Sequence, residues 1–199
     1  MSSPITLQDF HAKALADYGI ADLWPEAVLK EAKTKKEHIT KEIDALETFP
    51  FVTIDGEDAK DFDDAIFCEF SDHGFHLKVA IADVSFYVKE GSALDFEAAK
   101  RTTSVYMPRK VVPMLPEKLS NELCSLQPNK RRRCLCIEMD FDKDGYINSY
   151  KFHRGIIKSV ARLTYTEVEN QLINGVKDSD YAESLKAAIA LFNKFIINK

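Results

Sequence analysis

The most restrictive feature of this sequence is a run of carboxylates between residues 55 and 64. Six of these ten residues are acidic, and five of the six are aspartates. Two unit charges about 4 Å apart repel by about 4 kcal/mol near a protein surface, so converging carboxylates are costly unless a cation lies among them. The run is therefore either a solvated acidic loop or a site for a hard divalent cation such as Mg²⁺, which binds carboxylate oxygens.

The residues around the run favour the metal site. Apolar segments at residues 51–54 and 65–67 flank it, and Phe62 interrupts it, so the run is anchored in a core. Regular alternation along an extended chain would place Asp61 and Asp63 on one face and Asp64 on the other. Either the backbone is irregular here, or one aspartate lies outside the set of metal ligands. A pair of bound Mg²⁺ ions could hold the attacking and leaving oxygens of a phosphodiester displacement.

The rest of the pattern predicts an α+β fold, with short strands and hairpins and with flanking helices. Capping boxes at Thr6 and Thr164 indicate helix starts, and short apolar segments separated by turn residues follow from about residue 49. A last helix is predicted from about residue 184, with Phe192 and Phe195 on its apolar stripe. We expect a helical linker over residues 1–48 and a β-rich domain over residues 49–199.

Composition excludes several classes of protein. With 45% apolar residues and only four cysteines among 199 residues, the chain is neither a disordered polymer nor a disulfide-built secreted scaffold. The N-terminus lacks a signal-peptide pattern, and no stretch approaches the roughly 20 apolar residues that span a bilayer. We therefore expect a cytoplasmic protein with no membrane association. No motif supports a nucleophilic serine or cysteine.

Three further features of the sequence each allow two interpretations. The basic run 130–133 either contacts phosphates or lies at a solvated strand edge. The stretch 140–145 matches the opening of a calcium loop, but Lys151 stands where the bidentate glutamate belongs, which favours a hairpin turn. Tyr106 precedes a proline-rich loop, where it either stacks on a nucleic-acid base or packs against that loop.

Six stretches of the sequence, in this order, resemble the ribonuclease II/R (RNB) family. They are residues 53–65, 80–85, 106–108, 113–116, 119–126 and 161–165. The resemblance implies an Mg²⁺-dependent hydrolytic exoribonuclease that digests single-stranded RNA from its 3′ end and releases nucleoside 5′-monophosphates.

The resemblance also assigns roles to individual residues. It implies that Asp55, Asp61 and Asp64 bind metal, and that Asp63 is the aspartate most closely tied to the chemical step. Tyr106 matches the family's tyrosine that stacks on the 3′-terminal nucleotide.

Other family features have no counterpart in these 199 residues. Members carry OB-fold RNA-binding domains and a helical second half with a catalytic arginine, and no matching motif is found here. We therefore expect residues 49–199 to be the N-terminal part of an RNB catalytic domain, and expect little activity from these residues alone. The alternative is a catalytically silent fragment that binds RNA and metal, or an interaction module.

Overall fold

The computed structural model describes residues 6–39 and 44–197. Its α-helices are α1 Leu7–Asp17, α2 Glu26–Thr34, α3 Val84–Tyr87, α4 Ala93–Arg101, α5 Tyr165–Asn174 and α6 Ala182–Ile197, and a π-helical segment covers Lys118–Leu123. The strands are β1 Asp44–Ala45, β2 Val52–Asp55, β3 Asp64–Ser71, β4 Gly74–Ala82, β5 Val105–Met107, β6 Lys110–Val112, β7 Arg131–Asp142, β8 Ile147–Lys158 and β9 Ala161–Thr164. The predicted α+β class is confirmed, although β7 and β8, at 12 residues each, are longer than expected.

The chain divides into two units. One contains the residues up to 36 together with 85–120, and the other contains residues 37–84 and 121–199. The first unit therefore holds α1, α2, α4 and the small β5–β6 ribbon, whereas the second holds the main sheet. The predicted domain boundary at residue 48 stays a prediction.

The main sheet has seven strands in the order β1-β8-β7-β4-β3-β2-β9. Its neighbours are antiparallel except for the β1–β8 and β2–β9 pairs, which are parallel. The β7–β8 hairpin turns at the calcium-loop-like sequence, where the Asp142 carboxylate accepts 2.9 Å hydrogen bonds from the backbone of Asp144 and Tyr146. The hairpin interpretation of this stretch is thus confirmed, because a turn consumes the carboxylate oxygen that calcium would need.

Helix α6 covers one face of this sheet. Its Ala187 and Leu191 are buried against Cys68, Phe75 and Phe141. Leu185 of the predicted apolar stripe is buried, whereas Phe192 and Phe195, farther along the same stripe, remain 54% and 40% exposed.

Of the local signals in the first unit, the helix start was predicted correctly. The Thr6 side chain accepts a hydrogen bond from the Asp9 amide, and the Asp9 carboxylate accepts one from the Thr6 amide, which is the predicted capping box. The expected loop after Tyr106 is instead part of the β5–β6 ribbon, in which Pro108 and Arg109 make the turn and the prolines lie outside the strands. Arg109 has a φ of 59°, as the third position of a type II turn requires.

The basic run 130–133 fits neither of its two sequence interpretations as a whole. Arg132 and Arg133 are 7% and 8% exposed. Arg132 donates to the Ser125 carbonyl at 3.0 Å and pairs with Glu37 at 2.9 Å, whereas exposed Arg131 pairs with Glu47. Buried Arg133 donates to the His38 carbonyl at 3.1 Å, so both buried arginines make their contacts within the protein.

Across the described ranges, no helix is long and apolar enough to cross a membrane.

Candidate active site

The carboxylate run connects two adjacent strands of the main sheet. Strand β2 ends at Asp55 and β3 begins at Asp64, so residues 56–63 form the connection, which we call the acidic loop. The acidic loop contains no regular strand or helix. The backbone is thus irregular here, which removes the alternation that would place Asp63 and Asp64 on opposite faces.

Hydrogen bonds fix the last residues of the acidic loop. The Ala82 amide donates to the Asp63 carbonyl at 2.9 Å, and the Leu126 amide donates to the Phe62 carbonyl at 2.8 Å. The Ser125 hydroxyl accepts from the Phe62 amide at 3.1 Å and donates to the Lys60 carbonyl at 3.0 Å. The backbone beneath Asp63 is therefore held from β4 and from the segment before β7.

A single arginine fixes the first residues. Arg162 lies on β9, opposite Thr53 of β2 in the parallel pair. Its Nη2 donates 2.7 Å hydrogen bonds to the carbonyls of both Gly56 and Glu57. Its guanidinium carbon also lies 5.7 Å from the centre of the Phe62 ring, within the range of a cation–π contact.

The aspartates of this region affect one another's ionisation. Burial, followed by the charges of Asp61, Asp64 and Asp55, raises the pKa of Asp63 from 3.8 to about 6. Burial also raises the pKa of Asp64. Burial and the negative charge of Asp64 raise the pKa of Asp55, although the positive charge of Arg162 acts in the opposite direction. The carboxylates are thus close enough to repel one another, as the sequence predicted.

The donor atoms of this region are of the type that hard divalent cations prefer, namely carboxylate oxygens. Oδ2 of Asp55 is buried and accepts no hydrogen bond from the described residues. An orphaned carboxylate oxygen beside other aspartates is the environment that a bound cation would neutralise. Within residues 6–39 and 44–197, no group of three or more His, Cys, Asp or Glu side chains is arranged to hold a metal ion.

Comparison with known proteins places this chain in a family. The family model of the RNB domain matches residues 43–197, which is more than half of the chain and includes the whole acidic loop. The chain belongs to the RNB-domain family. Two relatives named ribonuclease R, from Acidithiobacillus ferrooxidans and from Escherichia coli K12, are each 46% identical over 92% of this chain.

The RNB-family relatives are longer than this chain, which spans 43% of the Acidithiobacillus protein and 23% of the Escherichia coli protein. A solved structure of Mycoplasma genitalium RNase R, in complex with ribose-methylated single-stranded RNA, matches with a TM-score of 0.90 at 35% identity. That match covers 96% of this chain and 31% of the Mycoplasma chain. The fold described here is therefore the RNB fold of ribonuclease R.

The last of the predicted site residues, Tyr106, lies in the first of the two units, which contains residues 85–120. It lies in β5 opposite Val111, and its side chain is 68% exposed. Exposure of an aromatic ring on a short ribbon is compatible with base stacking.

The sequence did not predict that Ser125 and Arg162 contact the acidic loop. Both lie in stretches that carry the RNB resemblance, residues 119–126 and 161–165, but neither had a role. They contact the acidic loop from 65 and 106 residues away. Their residue types alone give no such signal, since the contacts depend on the register of the sheet.

The negative charge of Asp63 also acts on Cys124. Burial, with a smaller contribution from the negative charge of Asp63, raises the pKa of its thiol to about 12. A raised pKa disfavours the thiolate, which is the nucleophilic form of cysteine.

Proposed function

We propose that this chain supplies the metal-binding aspartates of an Mg²⁺-dependent 3′-to-5′ exoribonuclease, which hydrolyses RNA phosphodiesters to nucleoside 5′-monophosphates. The observation that carries the proposal is the position of Asp55, Asp61, Asp63 and Asp64 in or next to one strand connection, where burial and the neighbouring negative charges raise the pKa of Asp63 to about 6. Membership of the RNB family and relatives named ribonuclease R support it.

The aspartates divide into two roles. Asp55, Asp61 and Asp64 would hold the cation, with the buried Oδ2 of Asp55 as one donor. When bound, Mg²⁺ would neutralise these carboxylates and stabilise the negative charge that develops on the phosphate. Asp63 would orient the attacking water. The carboxylate of Asp63, when ionised, can accept a proton from that water.

The reaction is balanced without a covalent intermediate. The water oxygen forms a bond to the phosphorus that joins the last two nucleotides. The bond from that phosphorus to the 3′ oxygen of the penultimate nucleotide breaks, and this oxygen takes up a proton. The phosphate thus leaves on the 5′ oxygen of the released nucleotide.

Single-stranded RNA with a free 3′ end is the proposed substrate. A relative of the same fold is solved with single-stranded RNA, and the exposed ring of Tyr106 provides a surface on which a base could stack. Stacking on an aromatic ring contributes about 1–3 kcal/mol per base and is tolerant of sequence. We propose that Tyr106 stacks on the terminal base.

A chimera tests the proposal. Residues 1–199 would replace the matching segment of Escherichia coli ribonuclease R, which is 46% identical. We expect release of nucleoside 5′-monophosphates in Mg²⁺. The Asp63→Asn form of the chimera should bind RNA nearly as well but cleave at least 10²-fold more slowly, since it would lose stabilisation of the transition state alone.

Two outcomes would contradict the proposal. A chimera that folds and binds RNA but never cleaves would favour the catalytically silent alternative. Equal loss of RNA binding and cleavage in Asp63→Asn would instead show that Asp63 acts in binding rather than in the chemical step.

A further inference from the structure

The acidic loop is fastened at two points by side chains distant in sequence, Ser125 and Arg162. We infer that these two are positioning residues, which hold the loop backbone so that its carboxylates converge on the cation. This inference rests on the proposed function of the acidic loop as a cation site. It assigns Arg162 to the backbone of the loop and not to RNA.

Arg162 reaches the first part of the loop. One nitrogen, Nη2, donates to two successive carbonyls, those of Gly56 and Glu57, both at 2.7 Å. These residues directly follow Asp55, so the contact fixes the direction in which the chain leaves β2. Hydrogen bonds from a charged donor are stronger than neutral ones. The guanidinium also lies 5.7 Å from the Phe62 ring, so one side chain spans both parts of the loop.

Ser125 holds the second part of the loop. The residue is wholly buried, and its hydroxyl both accepts from the Phe62 amide and donates to the Lys60 carbonyl. The two bonds bracket Asp61. Ser125 is itself fixed, because its own carbonyl accepts a 3.0 Å hydrogen bond from Nε of buried Arg132.

The loop region is densely charged, with six carboxylates among residues 55–64. Like charges this close in the chain repel one another. An unfastened loop between two strands would relieve this repulsion by spreading its side chains into solvent. Cation binding would then have to order the loop as well, and the lost conformational entropy would weaken the affinity of the site for the cation.

A neutral substitution at Arg162 distinguishes a role in positioning the loop from a purely electrostatic role. If Arg162 acted only through its charge, Arg162→Met would remove a positive charge near the aspartates and tighten cation binding. If it positions the loop, Arg162→Met should weaken cation binding even though a repulsive charge is lost. Arg162→Lys keeps both the charge and a donor, so it should restore most of the affinity.

The experiment uses the 199-residue chain and Mn²⁺, whose binding is measured by electron paramagnetic resonance. We expect the Kd for Mn²⁺ to rise at least tenfold in Arg162→Met and in Ser125→Ala, and less than threefold in Arg162→Lys. Arg131→Met and Ser149→Ala are matched controls, because these exposed residues bind Glu47 and Asp140, outside the loop. Circular dichroism establishes that each variant is folded.

Amide hydrogen exchange gives a second readout that needs no cation. The Ala59 amide donates to the Gly56 carbonyl, which also accepts from Arg162, whereas Ser125 takes no part in this hydrogen bond. We expect its exchange to accelerate at least tenfold in Arg162→Met and Ser125→Ala, and to stay unchanged in the two controls.

The two readouts distinguish the possible failures. Mn²⁺ binding that is unchanged or tighter in Arg162→Met would overturn the positioning role, as would unchanged Ala59 exchange in both loop variants. If the unsubstituted chain itself binds no Mn²⁺, the proposed cation site fails, and the exchange of Ala59 alone decides whether the two residues order the loop.

Discussion

The amide of Ala82, the last residue of β4, donates a 2.9 Å hydrogen bond to the carbonyl of Asp63. The main chain of Asp63 is thereby tied to the sheet by a contact that does not involve its carboxylate. A change from carboxylate to amide at this position removes charge without disturbing the backbone contact. Asp63→Asn therefore tests the effect of the carboxylate charge of Asp63 separately from its backbone contact.

The first prediction concerns pH and the cation-free chain. The folded-state pKa of Asp63 is about 6, above the ordinary value of 3.8. A raised carboxyl pKa contributes stability that is present below about pH 4 and is lost as the pH rises through about 6. Asp63→Asn should therefore become progressively more stable than the unsubstituted chain between pH 4 and pH 7. Urea unfolding in a chelator measures this difference, with Asp58→Asn as the control for loss of an exposed loop charge.

The outcome that would contradict it is a stability difference independent of pH. Such a result would mean that the neighbouring aspartates do not act on Asp63 in the folded chain.

The second prediction concerns Mg²⁺ and thermal stability. A ligand that binds only the folded state stabilises it by about 2.7 kcal/mol at 100 times its Kd, which for a chain of this size raises the Tm by roughly 5–10 °C. The gain should disappear in the double variant Asp55→Asn, Asp64→Asn. Differential scanning calorimetry with and without Mg²⁺ measures both. An equal gain in the double variant would place the bound cation elsewhere.

The third prediction concerns Tyr106 in the chimera. Tyr106→Ala should slow the final cleavage steps or lengthen the limit product, because a stacking contribution of about 1–3 kcal/mol is lost. Tyr106→Phe should leave both unchanged, since stacking uses the ring and not the hydroxyl. Products are resolved on sequencing gels. If Phe is as damaging as Ala, a hydrogen bond from the hydroxyl is the better explanation.

The fourth prediction is that residues 1–199 alone do not degrade RNA at a useful rate. Loss of one preorganised group that stabilises the transition state commonly costs about 10²- to 10³-fold, and the arginine motif that the RNB resemblance implies is not found among these residues. The purified chain is incubated with 3′-labelled single-stranded RNA and Mg²⁺, and its Asp63→Asn form controls for contaminating nucleases. Mononucleotide release by the unsubstituted chain alone would refute the prediction.

The fifth prediction concerns a buried charge network on the main sheet. Burial would raise the pKa of Glu138, but hydrogen bonds from Lys78 and Lys151 lower it to about 2. A lowered carboxyl pKa contributes stability above about pH 4.5 that is lost as the pH falls through about 2. Glu138→Gln should cost about 2–3 kcal/mol at pH 7, and the cost should shrink toward pH 2.

The matched control for this network is Glu183→Gln, which removes an exposed partner of Lys186. Exposed ion pairs contribute about 0–1 kcal/mol. A cost at Glu138 as small as that at Glu183, measured by urea unfolding, would show that the sheet tolerates a buried Lys78 without its counterion.

Features encoded by residues close together in the sequence were predicted correctly. The capping boxes at Thr6 and Thr164 formed as expected, since each depends on a side chain and an amide three residues apart. The acidic run was also recognised from its spacing alone, because charge crowding between two apolar strands is a local property.

The tertiary structure decided how that run is held. Ser125 and Arg162 reach the acidic loop across 65 and 106 residues. The Arg162 contact depends on the pairing of β9 with β2, and the Ser125 contact depends on the position of the segment before β7. Likewise, the sequence predicted a solvent-exposed or phosphate-binding Arg132, whereas the structure buries this side chain against the Ser125 carbonyl. Long-range pairing is set by the packing of the whole sheet, so the sequence identified the charged groups while the fold determined which of them face each other.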